Sequence, residues 1–157
     1  MRPQPMNAGR EDAWFVHPLR VRYHETDGQH IVFNARYLEY FDVAMTEYFR
    51  ALGWPYPQLV SAGLDPSLVH TAIGFHRPAR FDDELRVLVR CRAVGTTSFT
   101  LDFEVRRDGG ERLASAEIVY VNLDPGTHGA RPVPDRFRRL LLPGEAPDSA
   151  PDGGGDA

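Results

Sequence analysis

The stretch YHETDGQHIVFNARYLEYFDVAMTEYFR, residues 23–50, contains a change of hydrophobic period. Apolar and polar residues alternate over 19–24, which predicts a half-buried strand. Residues 25–33 then form a connection without a clear period. From Ala35 to Leu52 apolar residues recur every three or four positions, which predicts an amphipathic helix of about five turns. The apolar stripe of this helix is wide, so we expect most of it to be buried.

The ends of this helix carry their own signals. Asn34 is a good N-cap residue, because a short polar side chain can accept a hydrogen bond from the first turn. Gly53 is a good helix stop, because it adopts the left-handed backbone that ends many helices. The sequence therefore predicts a helix that begins after Asn34 and ends at Gly53.

The second half of the chain predicts strands. Gly95-Thr-Thr and Asp108-Gly-Gly separate the last three, and Asp-Gly-Gly is a strong signal for a tight hairpin. Residues 55–62 predict a short irregular or helical segment, and Asp135–Leu141 a last short helix. The predicted strands are Val69–His76, Glu84–Val94, Ser98–Arg107 and Arg112–Asn122.

One strand, one long helix and four antiparallel strands indicate the α+β class, with a five-stranded antiparallel sheet wrapped around a long central helix. We expect a single domain over residues 14–142. Residues 1–13 lack periodicity and predict a flexible lead. Residues 143–157 are rich in Pro, Gly and acidic residues, and predict a disordered tail.

The net charge of −4 belongs to the tail. Residues 143–157 hold four acidic and no basic residues, so the other 142 residues are formally neutral. Phosphate binding needs a concentrated excess of positive charge, so we expect no nucleic-acid partner. All 18 basic residues are Arg. The absence of Lys excludes Schiff-base chemistry and a Walker-type phosphate loop.

Location and cofactors follow from what the sequence lacks. It shows no apolar leader and no long apolar run, so we expect a cytoplasmic protein without a membrane partner. Cys91, the single cysteine, falls on the apolar face of a predicted strand, where a small core residue is expected rather than a nucleophile. The six His show no metal-ligand spacing, so we expect no metal. No dinucleotide or other cofactor motif is present, and no cofactor is expected.

Asp27 is the candidate for chemistry in the opening stretch. It lies seven residues before Asn34, on the approach to a helix N-terminus, where unpaired N–H groups and the positive end of the helix dipole favour an oxyanion. A carboxylate there is suited to act as base or nucleophile on a polarised carbonyl. Asp27-Gly28 is also a common turn pair, and from this stretch alone a turn former is the better interpretation.

The same segment resembles the hotdog-fold thioesterases of the 4-hydroxybenzoyl-CoA thioesterase type, which include the tol-pal-associated acyl-CoA thioesterases. Their signature is an Asp, a loop, a hydrophobic pair and a Tyr ten residues after the Asp. These correspond to Asp27, Ile31-Val32 and Tyr37, followed by the Thr46–Phe49 segment. The resemblance continues, in order, through 74–85, 95–99 and 131–134, and covers about Leu19 to Leu141.

The resemblance implies a hotdog fold and hydrolysis of an acyl-CoA thioester to free acid and CoA. By carry-over, Asp27 is the catalytic carboxylate, and the backbone N–H of Asn34 polarises the thioester carbonyl. Proteins of this type pair their sheets across a homodimer and often form homotetramers, with the site at the dimer interface. The resemblance leaves open whether Asp27 attacks the carbonyl or activates water, and whether the acyl carrier is CoA or acyl-carrier protein.

This chain departs from the family at Asn34, where many relatives have a His that is thought to assist the site. An amide cannot carry a proton near neutral pH, so such a role is lost or moved, and nearby His30 is a candidate to replace it. A solvent-facing loop His is an equally good interpretation of His30. Candidates to bind the substrate are Phe33, Tyr37 and Phe75 for the acyl group, and Arg77, Arg80 and Arg131 for the nucleotide.

Two rival functions share the fold. Hotdog hydratases have a His five residues after an Asp, whereas the fifth residue after Asp27 is Val32, so hydration is disfavoured. A non-catalytic acyl-thioester-binding protein is the other rival. Asp27 favours the enzyme, and Asn34 is the feature that favours the binder.

Overall fold

A computed structural model describes residues 14–143, which contain five strands, three α-helices and a short 3₁₀ turn at Tyr23–Glu25. The predicted lead, and the predicted tail beyond its first residue, lie outside the described residues. In chain order the elements are β1 Phe15–Arg20, α1 Arg36–Ala51, α2 Tyr56–Ser61, β2 Pro66–Phe75, β3 Glu84–Val94, β4 Ser98–Arg107, β5 Arg112–Asn122 and α3 Asp135–Leu141.

The five strands form one antiparallel sheet in the order β1-β3-β4-β5-β2. Strands β3, β4 and β5 are consecutive hairpins, as their turn residues predict, and β1 and β2 are the two edges. The α+β class and the five-stranded sheet are confirmed. The bounds of β3, β4, β5 and α3 also agree with the sequence prediction.

The sheet buries one face of α1. Phe41 and Ala44 are completely buried, and the Phe41 ring lies 4.9 Å from that of Phe103 on β4. The helix lies closest to β1 and β3 and therefore leans away from β2. As a result the helix-side surface of β2 is left largely uncovered, and Phe75 and Val69 remain 50% and 56% exposed.

Only one of the two predicted helix ends is correct. The C-terminus is as predicted: Gly53 has φ +93°, its N–H donates to Arg50 O, and the Trp54 N–H donates to Phe49 O, the pattern of a glycine-terminated helix. The predicted cap at Asn34 is wrong. Ala35 occupies the N-cap position and no side chain caps the helix, because the chain enters it through a turn closed by Arg36 N–H to Phe33 O.

Two strand predictions need correction. The strand predicted over 19–24 runs instead over Phe15–Arg20, and the chain then turns, leaving Tyr23 79% exposed. The turn forms because the carboxylate of Glu25 is drawn inward, as described below. Strand β2 begins at Pro66, three residues before its predicted start, with a register shift between Leu68 and His70.

Cys91 is half-buried on β3, packed against the core cluster. The strand has an irregularity between Cys91 and Ala93, and Ala93 is exposed.

Asn122, at the end of β5, connects three segments that are distant in sequence. Its side chain is fully buried. Its Nδ2 donates to Gly63 O at 2.9 Å and to Pro132 O at 3.0 Å. Its Oδ1 accepts from the N–H of Asp65 at 2.9 Å and from Nε of Arg131 at 3.3 Å. One buried amide therefore fixes the start of β2 and the segment that leads to α3.

We expect Asn122→Ala to lower the free energy of unfolding by about 2–4 kcal/mol, because it leaves several buried backbone groups without partners. Urea denaturation followed by circular dichroism measures this. Gln58→Ala, an exposed polar truncation on α2, serves as the control and should change stability by less than about 0.5 kcal/mol. Equal stabilities of the two variants would contradict the connecting role of Asn122.

Candidate functional site

The connection that carries Asp27 is a tight, hydrogen-bonded loop. The Asp27 N–H donates to Ile31 O at 2.9 Å, and the His30 N–H donates to Asp27 O at 2.9 Å. The side-chain Oδ1 of Asp27 accepts from the Gln29 N–H at 2.8 Å. His30 adopts φ +61°, a conformation that the loop imposes on it. Asp27 is thus a turn former, as one sequence interpretation had it.

The second carboxylate oxygen of Asp27 is not used by the turn. Within residues 14–143, Oδ2 accepts no hydrogen bond and the side chain forms no ion pair. The side chain is half-buried. The turn therefore holds Asp27 in one orientation while leaving one oxygen available for chemistry.

A buried carboxylate anchors this loop to α1. Glu25 is only 8% exposed, and its Oε1 accepts from the Arg22 N–H at 2.7 Å and from the Tyr40 hydroxyl at 3.1 Å. Its backbone O also accepts from the Phe33 N–H at 2.9 Å. Burial, followed by the Glu25 charge, strongly raises the pKa of Tyr40, so its hydroxyl stays protonated and can donate. Glu25 was not predicted from the sequence; the signal for it was Tyr40, a tyrosine on an apolar helix face, whose hydroxyl needs a partner.

The loop also docks on the segment before β3. The Val32 N–H donates to Ala79 O at 2.8 Å, and both residues are buried. This contact and the Glu25 contacts hold the loop from two sides. The start of α1 is therefore fixed relative to Asp27 by backbone hydrogen bonds and by the buried Glu25–Tyr40 hydrogen bond.

The turn that leads into α1 has an unpaired backbone donor. In the part of the chain that the structure describes, the Asn34 N–H donates to no protein atom. Asn34 lies two positions before the first residue of α1, where the helix dipole adds partial positive charge. Such a group can stabilise negative charge that develops on a carbonyl oxygen.

A cavity of about 280 Å³ opens at this point. It is lined by Ile31, Val32, Asn34, Tyr37, Phe75, His76, Arg77 and Pro78. Four of the predicted site residues, Asn34, Tyr37, Phe75 and Arg77, therefore meet in one cavity. The structure brings together the end of the Asp27 loop, the start of α1 and the end of β2.

Tyr37 links the helix start to β2. Its ring is 2% exposed and meets Phe75 edge to face, with the ring centroids 5.2 Å apart. Burial raises the pKa of Tyr37, and a backbone contact with Ala79 and the charge of Arg107 oppose this only in part. The hydroxyl is therefore neutral at physiological pH and can act only as a hydrogen-bonding group.

Other predicted residues lie beside the cavity rather than in its wall. Asp27, His30 and Phe33 are on the adjoining loop, where His30 is exposed and Phe33 is 49% exposed. Arg80 lies in the connection before β3, where its N–H donates to Asp83 Oδ2. Arg77, which does line the cavity, pairs with Glu111 at 3.3 Å.

Arg131 lies elsewhere. It bonds Asn122 and lies 3.9 Å from Asp124, on the segment that leads to α3. Nothing in this placement gives it a part in the cavity. Its predicted contact with a nucleotide stays a prediction.

His76 lines the cavity although the sequence gave it no role. Its Nε2 lies 2.9 Å from Oγ of Ser115 on β5. A side chain at Gly74 would come within 3.2 Å of this ring, so the glycine leaves room for it. His76, rather than His30, is the histidine that the fold brings to the cavity wall.

Larger clefts lie away from these residues. One of about 830 Å³ lies between β1 and α1, with Glu39 and Val43 in its wall, and contains none of the predicted site residues. Size alone would favour it. The chemistry favours the smaller cavity, because its wall contains Tyr37, whose hydroxyl stays neutral, and Asn34, whose N–H is unpaired within residues 14–143, and because the Asp27 loop ends in this wall. Within residues 14–143, no three His, Cys, Asp or Glu side chains gather as metal ligands.

Comparison with known proteins finds a matching family and relatives that cover most of the chain. The family model of the thioesterase superfamily matches residues 29–114, which include the whole cavity wall. An acyl-CoA thioesterase, YbgC, from Haemophilus influenzae is 39% identical over 111 residues, 70% of this chain and 80% of that protein. A 1,4-dihydroxy-2-naphthoyl-CoA hydrolase from Thermosynechococcus vestitus is 28% identical over 141 residues, 86% of this chain and 95% of that protein.

Solved structures agree in fold. The 1,4-dihydroxy-2-naphthoyl-CoA thioesterase from Synechocystis superposes with a TM-score of 0.74 at 22% identity, covering 85% of this chain and 99% of that one. The hotdog fold expected from the sequence is thereby confirmed.

We expect Glu25→Ala to destabilise the protein by about 2–3 kcal/mol, because it leaves the buried Tyr40 hydroxyl and the Arg22 N–H without their acceptor. Glu39→Ala is the matched control, because the Glu39 carboxylate is exposed on α1 and pairs with Arg36. Its loss should lower the free energy of unfolding by less than about 1 kcal/mol. Chemical denaturation of both variants gives the comparison. A Glu25→Ala protein as stable as Glu39→Ala would show that Glu25 does not anchor the loop.

Proposed function

Because this chain belongs to the thioesterase superfamily, we propose that it hydrolyses an acyl-CoA thioester to free acid and CoA at the cavity between α1 and β2. The observation that carries this is the unpaired backbone N–H of Asn34, a residue of the cavity wall, at the end of the loop that also holds the oriented carboxylate of Asp27. Thioester hydrolysis is the reaction of the family, and the residues proposed here are the means by which this chain would perform it.

The helix start supplies the electrophilic half of the reaction. A thioester carbonyl seated with its oxygen near the Asn34 N–H would be polarised by that donor and by the α1 dipole. The donor is held by the backbone of the loop and the helix, so it needs no rearrangement as charge develops. It also needs no proton transfer, which fits an Asn at a position where relatives have His.

Asp27 supplies the other half. In one route its free carboxylate oxygen attacks the carbonyl carbon, the CoA thiolate leaves, and water hydrolyses the resulting mixed anhydride to regenerate Asp27. In the other route Asp27 takes a proton from a water molecule that attacks the carbonyl directly. Both give one acid and one thiol per water consumed, and a thiolate is a good enough leaving group to depart without strong acid assistance.

The substrate would lie with its acyl group against Tyr37 and Phe75 and its CoA group at Arg77 and Arg80. Phe33 is exposed on the Asp27 loop, and both arginines are exposed on the segment after β2. This segment is rich in Arg donors suited to the phosphates of CoA. An acyl-carrier protein presents the same thioester and is the alternative substrate.

A second copy of the chain would complete the site. Strand β2 is an edge of the sheet, and its exposed residues include Leu68 and Val69, 44% and 56% exposed. Exposed edge strands favour pairing with another strand. Phe75 ends β2 and lines the cavity, so a homodimer formed through β2 would bring the partner to the cavity mouth. A homotetramer would be two such dimers.

The structure offers less to the rival functions. The position of a hydratase His is held by Val32, which is 2% exposed and points into the core. A non-catalytic thioester binder would have no need for the free oxygen of Asp27. No helix in residues 14–143 is long and apolar enough to cross a membrane.

We expect Asp27→Asn to lower kcat for acyl-CoA hydrolysis at least about a hundredfold without loss of stability. Asn keeps the side-chain oxygen that accepts the Gln29 N–H, so the turn survives while the nucleophile or base is lost. Thiol release from a panel of short, long and aromatic acyl-CoAs measures the rate, and thermal denaturation checks the fold. Hydrolysis by Asp27→Asn at the wild-type rate would exclude Asp27 from the chemistry, and no hydrolysis by either protein would favour the binder.

We expect the double variant Leu68→Arg, Val69→Arg to be monomeric and at least about tenfold less active, because like charges on two facing strands repel. Sedimentation equilibrium gives the mass of the particle. Val43→Arg, at an α1 position 49% exposed on the other side of the molecule, is the control and should keep the wild-type mass and rate. A monomeric wild type with full activity would rule out the shared site.

A further inference from the structure

The connection between β2 and β3, residues 76–83, has backbone anchors at both ends. Its first two N–H groups donate to Leu113 O at 2.8 and 3.1 Å, and its last two residues bond the backbone of Val21 at 3.1 and 3.0 Å. Between these anchors the chain is neither helix nor strand. There the backbone makes one hydrogen bond to another described segment, from the Val32 N–H to Ala79 O. The middle of the connection therefore depends on side chains for its conformation.

Arg107, the last residue of β4, supplies these side-chain contacts. Its Nη2 donates to the Pro78 carbonyl at 2.6 Å, and Pro78 forms no other hydrogen bond in the part of the chain that the structure describes. The same nitrogen lies 3.5 Å from Asp83 Oδ2, and Nη1 lies 3.6 Å from Glu111 Oε2. The two terminal nitrogens of one guanidinium thus contact a carbonyl and two carboxylates.

The two carboxylates extend these contacts to the arginines of the connection. Asp83 Oδ2 also accepts from the Arg80 N–H at 2.9 Å. Glu111 Oε1 also lies 3.3 Å from Arg77 Nε. Arg107 therefore acts on both arginines that the proposed function assigns to CoA, and it acts on each of them through one carboxylate.

One donor of Arg107 is buried without a partner. The side chain is 33% exposed, and its Nε forms no hydrogen bond within residues 14–143. A buried N–H without a partner lowers the free energy of unfolding, so this placement is not the one that stability favours. The placement does hold the cavity wall, because Pro78 and Arg77 are both part of that wall.

We propose that Arg107 is a positioning residue for CoA binding, which holds the connection in the conformation in which Arg77 and Arg80 bind the phosphates of CoA. The inference rests on the proposed function, which assigns CoA to these two arginines. The Arg80 side chain forms no ion pair with any described residue, so its charge is available to a phosphate. Arginines that are already ordered lose less conformational entropy when they bind a phosphate. Loss of Arg107 should therefore weaken CoA binding and leave the chemistry at Asp27 unchanged.

A pair of substrates separates this role from a purely structural one. An acyl-CoA and the N-acetylcysteamine thioester of the same acid share the acyl group and the thioester, but the second lacks the phosphates and the nucleotide. We expect Arg107→Met to raise KM for the acyl-CoA at least about tenfold, to change kcat less than about threefold, and to leave kcat/KM for the short thioester at the wild-type value. A loss on the short thioester equal to that on the acyl-CoA, or no loss on either, overturns the proposal.

Two further variants complete the test. Arg106→Met is the matched control, because Arg106 precedes Arg107 on β4, lies on the other face of the sheet and pairs with Glu104 at 2.6 Å. It should keep the wild-type KM for both substrates. Arg107→Lys keeps the charge and so protects the fold. An ammonium lacks the planar fork that reaches a carbonyl and two carboxylates together, so KM for the acyl-CoA should still rise at least about fivefold. A wild-type KM in Arg107→Lys would assign the effect to charge and overturn the proposal.

Titration calorimetry with CoA alone separates the inference from the proposed function. CoA has the phosphates but no thioester, so its affinity does not depend on hydrolysis. If wild type hydrolyses no thioester but binds CoA at least about tenfold more tightly than Arg107→Met does, the proposed reaction fails and the positioning role stands. Equal affinities of the two proteins for CoA, or no binding by either, overturn the positioning role, whatever the rate of hydrolysis.

Discussion

The burial of α1 against the sheet positions every other feature of the site. The helix must hide the face that contains Tyr37, Phe41 and Ala44, and this fixes where its N-terminus emerges. No side chain caps α1, and the chain enters the helix through a turn closed by Arg36 N–H to Phe33 O. Within residues 14–143 the Asn34 N–H in this turn has no partner, and Asn34 lies in the wall of the cavity. The entry to an element that stabilises the core thus leaves an unpaired donor at the cavity wall.

The position of the helix also determines which parts of the sheet are covered. Because α1 lies closest to β1 and β3, the helix-side surface of β2 is available to a ligand or to a second copy of the chain. The proposed carbonyl site and the proposed pairing edge are therefore consequences of one packing arrangement, and changes to one of them should affect the other.

The fold was largely predictable from local patterns, whereas the site was predictable only in part. Periodicity and Asp-Gly-Gly located β3 to β5, because hairpins depend on neighbouring residues. Alternation over 19–24 failed, because the inward pull on Glu25 by Tyr40 comes from fifteen residues away. Asn34 failed as a cap because the turn before the helix closes through Phe33 O. The partners of Asn122 are set by strand register and by contacts across the sheet, which no local pattern reports.

The proposed reaction depends on a hydrogen bond from the Asn34 N–H to the thioester carbonyl. The most direct test follows the ¹⁵N–¹H resonance of Asn34 as a non-hydrolysable thioether or ketone analogue of an acyl-CoA is added. A hydrogen bond to the ketone oxygen should shift the Asn34 proton downfield with the ketone analogue, and much less with the thioether, which lacks that oxygen. If the ketone binds to saturation and leaves the Asn34 resonance in place while residues of the cleft between β1 and α1 shift, Asn34 does not bind the carbonyl.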